Sequence, residues 1–372
     1  MSIPFFRVEI GGDEREKVDE VFDGDAPNIV EELESAFELY TGAGHALATS
    51  SGTSALHLAM FAIDLKRGDK VMCSINAYPN VPEVVRHFDA EPIFVDIDPD
   101  VFSMDLDKLE AYLMENKSKK LKAVIVSHVA GQSVDLDRLY AIAKQYDVKI
   151  VEDASDALGA TYKGAKIGST GADITCFDFS PHLRKNVCNG GMLVSDDEDI
   201  IERARLLRHH AMDAEDDALG YIYNVTDIGS HYTISPLDAA VILVQLDKQD
   251  EFIERQREIA EIFNERLAVA PHISLPVVQQ EHAFSLYIIK IDKNRDSFAR
   301  ELRERGVETG LHYIPLHLLS YYKTKYSLRI NDFPVALRNY SQILSIPNYA
   351  ALSDDEVEEI CDAILDVAAS RV

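Results

Sequence analysis

The sequence predicts an α/β protein, a mostly parallel sheet flanked by helices and followed by a smaller C-terminal α+β domain. Three observations predict it. Short apolar runs alternate with helical patterns from about residue 45 to 195. Those runs are apolar almost throughout, as strands covered on both faces are. The pattern then changes after a long helical run that begins at Ser235.

In chain order, "HALATSS", "KVMCSI", "EPIFVDI", "KAVIVSHV", "VKIVED", "TCFDF" and "GMLVS" read as buried strands. Between them, "SALHLAMFAIDL", "NVPEVVRHF" and "DLDRLYAIAKQY" carry helical periodicity. Ligands of such sheets gather beyond the carboxyl ends of the strands. "SPLDAAVILVQLDKQDEFIERQREIAEIFNERL" reads as one long helical run. The strand "AFSLYIIKI", the helix "RDSFARELRERG", the extended piece "VETGLHYIPL" and two terminal helices follow it. The last helix opens on Ser353, an N-cap candidate with acidic residues in the first turn. This division predicts a large domain over 1–245 and a small one over 246–372, joined inside a helix.

The chain has 372 residues, and its net charge of −27 leaves no basic surplus to displace counterions from nucleic-acid phosphates. A solvated acidic surface accounts for the charge. The four cysteines, Cys73, Cys176, Cys188 and Cys361, have no metal-ligand spacing and read as reduced thiols. Neither a secretory leader nor an apolar run of membrane-spanning length is present, so a cytoplasmic protein without membrane or metal partners is expected.

Three stretches carry chemistry. In "ATSSGTSALHLAM", a strand ends and Ser51-Gly52-Thr53-Ser54 opens a helix. Free amides and hydroxyls there make an anion site, although an ordinary N-cap turn has the same sequence. In "VKIVEDASDALG", Asp153 stands at a strand end, where a buried carboxylate needs a partner. A protonated ring nitrogen such as that of pyridoxal phosphate is one partner, and capping of the next helix is the other reading. In "CFDFSPHLRKNVCNGGM", an apolar strand runs into a loop that holds Arg184 and Lys185 and closes on two glycines. A lysine used in carbonyl chemistry needs such partial desolvation.

The three stretches together, with "GDKV…EPIFVDIDP", "VIVSHVAGQSVDLDRL", "TGLHYIPLH" and "LSIPNYAALSDDEVEEI", resemble the DegT/StrS-type sugar aminotransferases over nearly the whole chain. That resemblance implies the aspartate-aminotransferase-like fold type I, with pyridoxal 5'-phosphate as cofactor. It implies Gly52, Thr53 and Ser54 at the phosphate, Tyr78 stacked on the ring, Asp153 at the pyridinium and Asp156 near the phenolic oxygen. The family lysine stands five residues after a phosphate-binding serine. Ungapped alignment of phenylalanines and glycines puts Leu183 at the lysine position; a two-residue shift pairs Ser180 with Lys185 instead. The reading adopted makes Lys185 the catalytic lysine and Ser180 a phosphate ligand.

The same resemblance places His231 toward the phosphate of a neighbouring subunit and His312, Tyr313 and His317 at the substrate mouth. It implies amino transfer, with glutamate as donor, to a nucleotide-linked keto sugar destined for surface glycans, by a homodimer with shared active sites. Two other readings stay open. One is a dehydratase relative that lacks the usual lysine, with His182 nearby. The other is a non-catalytic member of the fold, which the altered "GSHYTISPLDAA" segment and the shortened "DGDAPNIVEE" loop leave possible.

Overall fold

Alternation along the strands decides the architecture. The computed structural model describes residues 2–180, 188–214 and 222–371. In chain order come α1 (Gly12–Asp23), α2 (Ile29–Thr41), β1 (His45–Thr49), α3 (Gly52–Ala62), β2 (Lys70–Ser74), α4 (Asn80–Arg86) and β3 (Glu91–Val95). Next are α5 (Leu106–Glu115), β4 (Leu121–Ser127), α6 (Leu136–Tyr146), β5 (Lys149–Asp153), β6 (Thr161–Tyr162), β7 (Ala165–Lys166) and β8 (Ile174–Asp178). They are followed by β9 (Gly191–Ser195), α7 (Glu198–Arg208), β10 (Met212–Ala214) and β11 (Tyr223–Val225).

The main sheet has seven strands in the order β1-β9-β8-β5-β4-β2-β3. Only β9 runs against the others, pairing antiparallel with both β1 and β8. Successive residues of a strand face opposite sides. Met72, Val124, Val126 and Ile150 accordingly enter the core under α2, α5 and α6. Val71, Cys73, Ile125 and Val151 enter the core under α3, α4 and α7. Side-chain caps start the covering helices: Asp105 on α5, Asp135 on α6 and Asp197 on α7.

The expected long helical run is two helices, α8 (Pro236–Asp247) and α9 (Gln249–Leu267), meeting at Lys248. The Lys248 ammonium reaches Glu14 at 2.8 Å and Asp13 at 3.2 Å, which ties the bend to α1. Beyond it lie β12 (Ile273–Ser274), β13 (Tyr287–Ile291), α10 (Arg295–Glu304), α11 (Ser320–Lys325), α12 (Pro334–Gln342), β14 (Ile343–Ile346) and α13 (Asp354–Ala369). The strands β12-β13-β14 form an antiparallel sheet. Phe263, Tyr287, Phe298, Val357 and Ile364 share a separate core there, and Ile3 from the N-terminus enters it too. Ser353 caps α13 in a reciprocal capping box with Glu356.

Because β1, β2, β4, β5 and β8 run the same way, Ser51, Asn76, Ser127, Asp153 and Asp178 arrive at one edge of the sheet. The antiparallel β9 starts at that edge, and Gly191 packs directly on the first turn of α3. A Cβ at Gly191 would lie 2.4 Å from the Ser51 carbonyl carbon and 2.6 Å from the Gly52 nitrogen. Those are backbone atoms, with no rotamer to yield. Gly191→Ala is therefore expected to destabilise the protein by about 3 kcal/mol, read as a lowered urea midpoint at unchanged m-value.

Candidate active site

The strand-end carboxylate expected from the sequence sits at the centre of this edge. Asp153 is buried and each of its oxygens is held. Ser155 donates its hydroxyl to Oδ1 at 2.5 Å and its amide to the same oxygen at 3.2 Å. The Ser127 hydroxyl donates to Oδ2 at 3.0 Å. The backbone amide of His128 also donates to the Asp153 carbonyl at 3.0 Å. The carboxylate plane is thus fixed by the ends of two neighbouring strands.

Around Asp153 lies a small pocket lined by Tyr78, Asn80, Ser127, His128, Asp156 and Tyr313, among others. Tyr78 is 45% exposed, and its ring meets that of Tyr313 edge-on, with centroids 5.7 Å apart. Asp156 is buried; its Oδ2 accepts the Ala130 amide at 3.3 Å and the Tyr313 hydroxyl at 3.4 Å. Burial pushes the Tyr313 phenol well above its ordinary pKa, with Asp156 and Asp153 adding to the effect, so it stays a proton donor. Behind the pocket, the fully buried His128 ring lies 3.4 Å from Glu152 Oε2 without making a hydrogen bond. Glu152 is held from the other side by the Tyr140 hydroxyl at 2.6 Å.

The start of α3 forms the second part of the site. Ser51 caps the helix by accepting the Ser54 amide, and the Ser50 and Ser54 hydroxyls are 2.9 Å apart. Thr53 is exposed at the helix start and accepts a hydrogen bond from the Asn80 amide at 3.2 Å, leaving Asn80 Oδ1 buried without a partner. The side chain packed against Gly52 is Asp178: a Cβ on Gly52 would meet Asp178 Cβ at 2.4 Å. Ser180 is half-buried and donates its amide to Asp178 Oδ1 at 2.7 Å.

Of the other residues singled out in the sequence, Lys185 and His182 lie outside the described residues. His231 is exposed on the segment paired with His209; its Nε2 is 3.1 Å from Thr233 Oγ1, and its ring stacks on His210. In the 310–317 segment only Tyr313 reaches the pocket. His312 binds Ser345 Oγ at 2.7 Å and stacks on Phe5. His317 is fully buried with its ring against Phe333 and does not line the pocket. Ser127, Asn80, Ser155, His128 and Asp178 were not found by sequence reasoning. Ser127 and Asp178 end β4 and β8, Ser155 follows Asp153 by two residues, and Asn80 follows Tyr78 by two. Those offsets are the signal that was available.

A larger cleft lies between the N-terminal segment and α8–α9, lined by Arg7, Gln245, Gln249, Phe252 and Tyr349. Its cation, Arg7, is already paired with Glu356 at 2.6 Å, and no strand-end carboxylate faces it.

The DegT/DnrJ/EryC1/StrS aminotransferase family matches residues 9–365. The chain belongs to this family. It is 32% identical over 384 residues to the spore coat polysaccharide biosynthesis protein SpsC of Bacillus subtilis, covering 98% of this chain and 97% of that one. Its fold matches the sugar aminotransferase CalS13 of Micromonospora echinospora at a TM-score of 0.88 and 26% identity, over 98% of this chain and 99% of the other. It also matches the PLP form of Spr1654 of Streptococcus pneumoniae at 0.89 and 26% identity, over 100% and 99%. The chain is a pyridoxal-phosphate-dependent aminotransferase of the family that serves sugar biosynthesis, with the fold of type I.

The family's cofactor fits the residues present. Asp153 offers a fixed, buried anion to a protonated ring nitrogen, Tyr78 offers an exposed aromatic face beside it, and α3 offers a helix start with hydroxyls. When bound, pyridoxal phosphate supplies the electron sink for charge developed beside nitrogen. Ser127→Ala removes one of the two side-chain hydroxyls that orient Asp153. It is expected to weaken cofactor binding by about 1–2 kcal/mol, a roughly tenfold rise in the dissociation constant measured by absorbance titration.

Proposed function

We propose that the chain transfers an amino group from glutamate to a keto sugar, nucleotide-linked, in the formation of amino sugars for surface glycans. The observation that carries the reading is Asp153, oriented by Ser127 and Ser155 and facing the same pocket as Tyr78. The relationship to SpsC and CalS13 supports a polysaccharide setting and a sugar substrate.

In this reading Asp153 holds positive charge at the ring nitrogen, and Tyr78 sets the plane of the ring. Gly52, Thr53 and Ser54 receive the phosphate together with Ser180, and Asp156 lies toward the phenolic oxygen. Lys185 carries the cofactor and, once released by the amino donor, moves the proton between the two carbons that exchange it. Tyr313 is the residue of its segment that meets substrate, while His312 and His317 hold the fold.

His231 completes the phosphate site of a second copy of the chain in a homodimer. Ile222, Tyr223, Val225 and Ile228 are 43%, 59%, 55% and 81% exposed on and beside the strand β11, an apolar surface suited to that contact. Residues 1–245 and 246–372 act as a cofactor-binding unit and a smaller unit that bounds the substrate. The setting is the cytoplasm. Among the described residues no helix is long and apolar enough to cross a membrane.

Glutamate added to the cofactor-loaded protein is expected to bleach the long-wavelength absorbance and release one equivalent of 2-oxoglutarate per site. An unchanged spectrum would remove the transaminase reading and leave a non-catalytic member. Borohydride reduction followed by peptide mapping is expected to fix the cofactor to Lys185, and Lys185→Ala to slow the half-reaction by about 10³-fold or more. Cofactor fixed to another residue would overturn the assignment of Lys185, and none fixed at all would return the dehydratase reading.

A further inference from the structure

The helix start that receives phosphate in the reading above already holds an anion of the protein itself. Asp178 ends β8 with its carboxyl group against the first residue of α3, within hydrogen-bonding reach of the Gly52 backbone. The fit leaves no room for a side chain at Gly52, whose Cβ would lie 2.8 Å from Asp178 Oδ2. Asp178 is 5% exposed, so its charge cannot turn away into water. A phosphate dianion placed at the same amides would meet this carboxylate in a desolvated site, with Asp153 a second nearby anion.

We propose that Asp178 is a proton-carrying phosphate ligand: it binds the cofactor's phosphate as the neutral acid and, when ionised, competes with phosphate for the start of α3. The inference rests on the assignment of α3 as the phosphate cradle. Burial raises the Asp178 pKa above its ordinary value and Asp153 adds to this, while hydrogen bonds from Ser180 and Gly52 oppose it. Among the described residues, these groups face it. The first turn of α3 carries no acidic side chain, and β9 presents Gly191. Asp153 faces it from β5, and Ser180 follows on its own strand. His182, Arg184 and Lys185 belong to the adjoining stretch, outside the described residues.

The sign follows from linkage. A bound dianion raises the pKa of Asp178 further, so phosphate binding takes up a proton, and affinity falls as pH rises between the free and bound values. A neutral amide at this position has no such proton to take up.

The test compares pyridoxal 5'-phosphate with pyridoxal, which lacks the phosphate, on the cofactor-free protein between roughly pH 5 and 8.5. For pyridoxal 5'-phosphate, the wild-type affinity is expected to fall more steeply than that of Asp178→Asn, by up to about tenfold more per pH unit. Pyridoxal is expected to show no such difference between the two proteins. Asp178→Ser, neutral and smaller, is the second variant should the amide disturb the strand end, and thermal melting of each cofactor-free protein checks the fold. Parallel pH profiles for wild type and both variants with pyridoxal 5'-phosphate would overturn the proposal. Equal affinities for pyridoxal and pyridoxal 5'-phosphate in all three proteins would overturn the cradle assignment beneath it, a separate result.

Discussion

The site depends on one close approach, that of β9 to the first turn of α3. Gly191 and Gly52 both lack room for a Cβ, the first against backbone and the second against Asp178. This contact fixes where α3 begins relative to the ends of β8 and β5. The start of the helix and the carboxylate of Asp153 are thereby set at the same edge of the sheet. A ligand that is negative at one end and positive at the other fits such a layout. A wholly anionic ligand would bring no positive charge to Asp153, whose hydroxyl partners only partly offset the cost of a buried anion.

Parallel strands put these groups within reach of one another. Each crossover helix returns the chain so that the next strand ends at the same edge, and residues far apart in sequence converge there. Ser127 and Asp153 are adjacent because β4 and β5 pair in direct register, Ser127 opposite Asp153. The antiparallel β9 is what keeps the start of α3 close. A parallel strand there would have ended at this edge with a bulky connection where Gly191 now packs.

The fold was legible in the sequence because its strands are apolar on both faces and its helices are periodic. Asp153 stands out in the sequence as a carboxylate at a strand end, whereas Tyr78 is singled out through the family resemblance alone. Ser127, Asn80 and Ser155 were not legible. A serine at a strand end has no distinguishing pattern until the neighbouring strand is known, and which strands neighbour is a property of topology. The bend at Lys248 was hidden for a related reason. Helical periodicity continues through it, and only the contacts with Glu14 and Asp13 from α1 mark the break.

The lysine shows where sequence alignment loses its grip. Strands β8 and β9 pair without a bulge from Thr175–Val194 to Asp178–Gly191, and the Phe179 amide continues the ladder to Gly190 at 2.9 Å. The phenylalanines and glycines are therefore anchored by the sheet, and any change of length falls within the connection from 180 to 189. Aligning on the anchored residues fixes the sheet and says nothing of the loop, so Leu183 at the ungapped position carries no weight against Lys185. The same anchoring has a second consequence. It sets Asp178 beneath the helix start, with Ser180 two residues on and bonded to it through its amide. The strand pairing thus decides which group stands against the helix start, and it leaves the change of length to the stretch that carries the lysine.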